Sequence, residues 1–386
     1  MADGFELRKF VAPEFVFGVG ARNLAGRYAK NLGGRKILVV SDPGVVAAGW
    51  TKDVTDSLEA AGLPFALYTG ITPNPKVEEV MAGVAVYQSE QCNALVAVGG
   101  GSSIDCAKGI GIVSSNHKQI QMFEGVDMVK APMPPLICVP TTGGTSADVS
   151  QFAIISNPSE RVKFAIISKS VVPDLALIDP VTLTTMDSYL TACTGLDALT
   201  HAIEAYVSTA HSAMTDLHAI EAIRLISANL LPSIEALDNL EFRSKVMQGS
   251  LQAGLAFSNA ILGANHAMAH SLGGALDIAH GECNAILLDH VIAFNMPSAP
   301  ERFEHIAEAM GLDLRGMNSR EKTTALLRHV RELKHAAGIV RTLKKVGVSR
   351  SDVTFFSDHA LNDPCMATNP RRASKRDIEV VYEESL

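Results

Sequence analysis

The chain has 386 residues, 47% of them hydrophobic and 19% charged, with a formal net charge of −8. That balance gives enough apolar material for two domains with large cores and excludes a disordered or low-complexity protein. The basic clusters Lys344-Lys345 and Arg371-Arg372, the latter near Lys375 and Arg376, read as solvated surface, so no nucleic-acid partner is expected.

Six cysteines (Cys92, Cys106, Cys138, Cys193, Cys283 and Cys365) form no C-x-x-C pair, which argues against a secreted disulfide scaffold. The opening MADGFELRKF carries both signs of charge and no apolar segment. No stretch approaches the ~20 apolar residues of a membrane span. A cytoplasmic protein without a membrane partner is the expectation.

In chain order, Lys36–Ser41 (KILVVS) predicts a buried strand and Thr51–Ala61 an amphipathic helix. Ala66–Thr69 predicts a second strand, Lys76–Ser89 a helix, and Ala94–Val98 (ALVAV) a third strand with a helix after Ser102. Pro135–Val139 (PLICV) predicts a fourth strand. Phe152–Ser156 and Lys163–Ile167, joined by NPSE, predict a hairpin appended to the same sheet. Such alternation implies an α/β unit with a parallel sheet. After Asp179-Pro180 the strand signals stop, and helical spacing runs through Ser188–Val207, His211–Leu230, Glu241–Ala256, His266–Ala275 and Glu321–Ala337. The expected organisation is an α/β domain over residues 1–180 and an all-helical domain over 181–386, with a cleft between them.

Four segments carry chemistry. Gly99-Gly100-Gly101-Ser102-Ser103-Ile104-Asp105 follows the ALVAV strand. Glycines there admit a phosphate close to the backbone, and Ser102-x-x-Asp105 resembles a capping box opening a helix whose N–H groups attract anions. Pro140-Thr141-Thr142-Gly143-Gly144-Thr145-Ser146-Ala147-Asp148 sits at the carboxyl end of the PLICV strand, where open α/β sheets bind ligands. Asp42 ends KILVVSD and fits either an Asx-type turn before Pro43 or a carboxylate accepting from a ribose diol. In TGLDALTHAIE, Asp197 and His201 stand one helical turn apart, as do His266 and His270 in NHAMAHSLGG, and His280-Gly281 follows. Imidazoles in such apolar segments need partners, and a group of this spacing favours a divalent metal.

These motifs resemble the iron-containing (group III) alcohol dehydrogenase family. GGGSSIDCAK (99–108), PTTGGTSADVS (140–150), TGLDALTHAIEAY (194–206) and NHAMAHSLGG…HG (265–281) stand in that family's order, and the likeness covers essentially the whole chain. Ser103 stands where the family often has Pro, GGTSA where it often has GTGSE, and Thr182 where it often has Leu. The resemblance implies metal ligands Asp197, His201, His266 and His280. It implies NAD contacts from Asp42, Asn74, Gly99, Gly100, Gly101, Ser102, Asp105, Thr141, Thr142, Thr145, Phe152, Lys163, Thr182 and His280. His270 is the implied proton-relay group, near the nicotinamide.

The expected activity is reversible hydride transfer between a small primary alcohol or diol and NAD, assisted by one divalent metal acting as a Lewis acid. One carboxylate and three imidazoles suit Fe(II) and Zn(II) alike, and the resemblance favours iron. A homodimer or larger homo-oligomer is expected from the family. The rival readings are a zinc polyol dehydrogenase of the glycerol type, a dehydroquinate-synthase-like lyase holding NAD beside a metal, and a non-catalytic sensor. A lyase of that kind needs several Lys or Arg groups for an anionic substrate.

Overall fold

The short apolar runs of the first half are too short for stable helices, and most are buried on both faces, as parallel strands are. A computed structural model describes residues 9–276 and 278–386; residues 1–8, which include most of the opening segment considered for a targeting signal, lie outside the described residues. The first half contains β1 (Glu14–Phe17), α1 (Ala25–Asn31), β2 (Ile37–Val40), α2 (Pro43–Ala47), α3 (Trp50–Ala60), β3 (Phe65–Tyr68), α4 (Val77–Ser89), β4 (Ala94–Gly99) and α5 (Gly101–Asn116). There follow β5 (Gly125–Val126), β6 (Leu136–Pro140), β7 (Phe152–Asn157), β8 (Val162–Ile167) and β9 (Leu175–Ile178).

Six strands form one parallel sheet in the order β1-β9-β6-β4-β2-β3. Apolar residues of α1 and α3 cover one face, and those of α4 and α5 the other. The chain leaves β2 toward the β3 edge and leaves β4 toward β6. The carboxyl ends of β2 and β4 therefore flank a topological switch point, the crevice where such sheets take ligands.

Two expectations are corrected. The β7–β8 hairpin exists, but it is not part of the main sheet: β8 also pairs with β5, making a separate three-stranded sheet. Phe152, Ala165 and Ile167 of this hairpin enter the helical core instead, so it sits where the two halves meet. The expected set also lacked β1, β5 and β9. β9 adds a fifth strand beyond β6 and carries β1 at the edge; LALI, set between Pro173-Asp174 and Asp179-Pro180, is an apolar run of only four residues.

The second half is helical: α6 (Ser188–Val207), α7 (Ala213–Glu235), α8 (Leu240–Ala260), α9 (Ala264–Leu276), α10 (His280–Asn295), α11 (Pro300–Ala309), α12 (Ser319–Ala336), α13 (Val353–Asn362) and α14 (Lys375–Glu384). Asp187 caps α6 by accepting from the Leu190 N–H at 2.7 Å, and every residue from Gly195 to Val207 is buried. A helix buried all round is a central element, and α6 packs against α7, α8 and α10. Among the described residues, no helix is long and apolar enough to cross a membrane.

Candidate active site

The 3.6-residue repeat of α6 puts Asp197 and His201 on one face, and two other helices bring their histidines to it. His266 comes from the first turn of α9 and His280 from the first residue of α10. One ligand atom from each of Asp197, His201, His266 and His280 lies within 4.8 Å of the others. The close approach of α10 depends on Gly281: a Cβ there would stand 2.5 Å from the Cys193 carbonyl oxygen and 3.4 Å from the Asp197 side chain.

The electrostatics suit a cation. Burial alone would raise the Asp197 carboxyl, but His201, His280 and His266 hold it far below the carboxylate range. Burial pushes His201 down to about 3 and His280 well below its ordinary value, so both are neutral, which is the metal-binding form. Burial also opposes charge on His266, yet Glu204 and Asp197 outweigh it and lift this imidazole to about 9. Two buried carboxylates thus flank His266 and draw positive charge to this place, as a proton on the ring or as a cation among the ligand atoms. The donor set and its convergence therefore fit a divalent metal.

Two residues absent from the expected set complete the cluster. Glu204 accepts from His266 Nδ1 at 2.5 Å, leaving Nε2 toward Asp197. Asn284 places Nδ2 2.6 Å from Asp197 Oδ1, 3.1 Å from His266 Nε2 and 3.2 Å from His280 Nε2. Both were open to spacing arguments. Glu204 is a polar residue seven positions beyond Asp197 in an apolar helix, and Asn284 lies one turn beyond His280.

A cavity opens beside the cluster. His201, His266, His270, His280, Phe152, Phe257 and Lys163 line it together with Asn74, Gly101, Ser102, Asp105 and Thr145. Phe257 stacks on His201 at 4.3 Å between ring centroids and tilts against Phe152 at 5.7 Å, so this end is apolar. His270 hydrogen-bonds through Nδ1 to Asp363 Oδ2 at 2.8 Å and stacks on His280 at 5.2 Å. Burial works to raise Asp363, but His270 holds its carboxyl below the ordinary value. Asp363 lies far along the chain from His270, and no spacing signal could have joined them. Lys163 donates to Asn74 Oδ1 at 2.7 Å.

The glycine loop starts its helix without a side-chain cap: Gly100 is the N-cap of α5, so the expected Ser102–Asp105 capping box does not form. Ser102 Oγ instead accepts from the Asn74 N–H at 3.2 Å, and Asp105 Oδ2 accepts from the Ile154 N–H at 3.1 Å. Burial pushes the Asp105 carboxyl up to about 6, against the pull of Lys108 and the Ile154 N–H. The glycines let the two loops touch: a Cβ on Gly101 would meet Thr145 at 2.8 Å, and one on Gly100 would meet Thr142 at 3.0 Å.

Six expected contacts do not line the cavity. Gly99 and Thr141 bond to each other through backbone, with Thr141 N–H donating to the Gly99 oxygen at 3.0 Å, and Gly100 and Thr142 pack together beside them. Thr182 donates its hydroxyl to the Pro140 and Asp179 carbonyl oxygens at 2.9 and 2.8 Å. Asp42 caps α2 through Oδ1, which accepts from the Gly44 and Val45 N–H groups, while Oδ2 accepts from Ser103 Oγ at 3.0 Å. Its Asx-type turn is real, and the same carboxylate reaches the glycine loop across the switch point.

Comparison with known proteins agrees with this geometry. Residues 12–180 match the family described as iron-containing alcohol dehydrogenase, and residues 191–386 match the C-terminal part of the Fe-containing alcohol dehydrogenase family. The chain is 38% identical to 1,3-propanediol dehydrogenase of Klebsiella pneumoniae, over 96% of each chain. It is 34% identical to the NAD-dependent methanol dehydrogenase of Bacillus methanolicus, over 98% of this chain and 99% of that one. A solved 1,3-propanediol oxidoreductase superposes with a TM-score of 0.96 at 37% identity, covering 99% of this chain and 100% of the other. The chain belongs to the iron-containing alcohol dehydrogenase family, as a metal-containing, NAD-dependent oxidoreductase of alcohols or diols.

Proposed function

We propose that the cavity interconverts a small primary alcohol or diol and its aldehyde, with residues 1–180 binding NAD and 181–386 holding Fe(II) through Asp197, His201, His266 and His280. The observation that carries this reading is the shared cavity: three of these four ligands line it alongside Gly101, Ser102, Thr145 and Lys163. A divalent metal bound there supplies Lewis acidity toward the substrate oxygen.

The chain's own residues supply the rest. The uncapped start of α5 offers backbone N–H groups to the NAD pyrophosphate. Asn74, Ser102, Thr145 and Lys163 offer polar contacts nearer the nicotinamide, and Asp42 meets the adenosine ribose. Phe152 and Phe257 exclude water and set the nicotinamide against the carbinol carbon, so that hydride transfer needs only positioning. Asp363 holds His270 by its Nδ1, which leaves Nε2 free to pass the substrate's hydroxyl proton outward. Thr141, Thr142, Gly99, Gly100 and Thr182 shape the loops from behind, and Asp105 anchors β7 to α5.

Lys163 is the only Lys or Arg among the described residues lining this cavity, which disfavours a lyase acting on a polyanion. We assign the protein a homo-oligomeric state on the family's account. The test is NADH formation from a panel of C2–C4 alcohols and diols by anaerobically iron-loaded and zinc-loaded enzyme. Turnover with primary alcohols, faster with iron, supports the reading; no turnover with either metal would sink it.

A further inference from the structure

Glu204 lies on the same face of α6 as Asp197 and His201, seven and three residues beyond them, and is itself buried. Its two oxygens meet three N–H donors, all at the start of α9. Oε1 accepts from the Asn265 backbone N–H at 2.6 Å. Oε2 accepts from His266 Nδ1 at 2.5 Å and from the His266 backbone N–H at 3.4 Å. The neighbouring Ala264 N–H donates to Asn369 Oδ1 at 3.0 Å. The first N–H groups of a helix have no partner within it, so these two side chains cap α9. Gly263 makes room, since a Cβ there would stand 2.9 Å from Glu204 Oε1 and 2.8 Å from Asn369 Oδ1.

The side-chain contact has a chemical consequence. A carboxylate only accepts hydrogen bonds, so the nitrogen facing it carries the proton. A neutral imidazole has one N–H, and placing it on Nδ1 leaves the Nε2 lone pair facing Asp197 Oδ1, 3.7 Å away. We propose that Glu204 is a positioning residue of the metal centre, fixing both the tautomer of His266 and the seat of the helix that carries it. One carboxylate thereby locks the ligands of α6 and α9 in register. The proposal rests on the metal reading above.

The test is metal affinity, measured for Zn(II) and anaerobic Fe(II) by competition with a chromophoric chelator. Glu204→Gln keeps the size, but its NH2 must face either the Asn265 N–H or the proton on His266 Nδ1. Affinity should fall about 10- to 100-fold, the usual effect of losing a partner that orients a metal-bound histidine. Asn369→Ala, which removes the cap of Ala264 without touching His266, should leave affinity within about threefold of wild type. Equal affinities for Glu204→Gln and wild type, or an equal loss in Asn369→Ala, would overturn the proposal. Wild-type protein that takes up no metal would overturn this proposal and the metal reading together.

If Glu204→Gln does not fold, nitrogen-15 histidine NMR of zinc-loaded wild type decides. His266 should then show a slowly exchanging Nδ1 proton, and a His266 resonance with no proton on Nδ1 would contradict the assignment.

Discussion

His280 opens α10 with no side-chain cap beneath it, and its Nε2 stands 3.8 Å from Asp197 Oδ1. Replacing it by Ala removes one of the four proposed ligands while leaving the helix intact. Bound metal after anaerobic reconstitution should fall at least tenfold, with kcat falling in proportion to occupancy. Full occupancy with wild-type turnover would take His280 out of the ligand set. Asp42 has two roles, since Oδ1 caps α2 and Oδ2 holds Ser103. Asp42→Gly should lose about 1 kcal/mol of cap stabilisation. On the proposed ribose contact, it should also remove the charge that would repel the 2′-phosphate of NADP. The ratio of kcat/KM for NAD to that for NADP should fall at least tenfold, mostly through KM, because the contact is remote from the hydride. An unchanged ratio would leave Asp42 as a turn residue alone. At this scale the grouping of His201, His266 and His280 with Asp197 was legible because imidazoles in apolar helices are conspicuous. Asp363 was not, because only the fold brings it to His270.

At the scale of elements, the parallel strands and long helices followed from periodicity, since β2, β4, β6 and α6 are buried runs of unambiguous length. The separate small sheet was hidden, because pairing of β8 with the two-residue β5 leaves no pattern in sequence. The start of α5 was misplaced by the serine and acid at 102 and 105, which look like a capping box but serve Asn74 and Ile154. Helix approach at the site is tested by Gly281→Ala. With the Cys193 carbonyl oxygen 2.5 Å from the new Cβ, α10 must retreat from α6. Overpacking of this kind costs about 1–3 kcal/mol, and metal affinity should fall with it. Unchanged metal affinity and melting temperature would show that the contact relaxes freely. The Phe152–Phe257 pair makes a further prediction about β7 and α8. Propanol should exceed 3-hydroxypropionate in kcat/KM, and a tenfold preference for the acid would contradict an apolar cavity.

The whole molecule joins a parallel α/β sheet to a helical half, and the convergence of Asp197, His201, His266 and His280 ties α6, α9 and α10 together. Whatever binds only the folded state stabilises it, by about 2.7 kcal/mol at a ligand concentration 100 times Kd. Chelation should therefore lower the melting temperature, and re-adding one equivalent of Fe(II) should restore it. The most direct single measurement is anaerobic titration of metal-free enzyme with Fe(II), following bound metal and NADH formation from a primary alcohol in the same samples. Activity should rise in step with occupancy and level off at one metal per chain in wild type, and stay at baseline in Asp197→Asn. NADH formation at full rate before any metal is added, or undiminished in Asp197→Asn without bound metal, would contradict a metal-assisted dehydrogenase at this site.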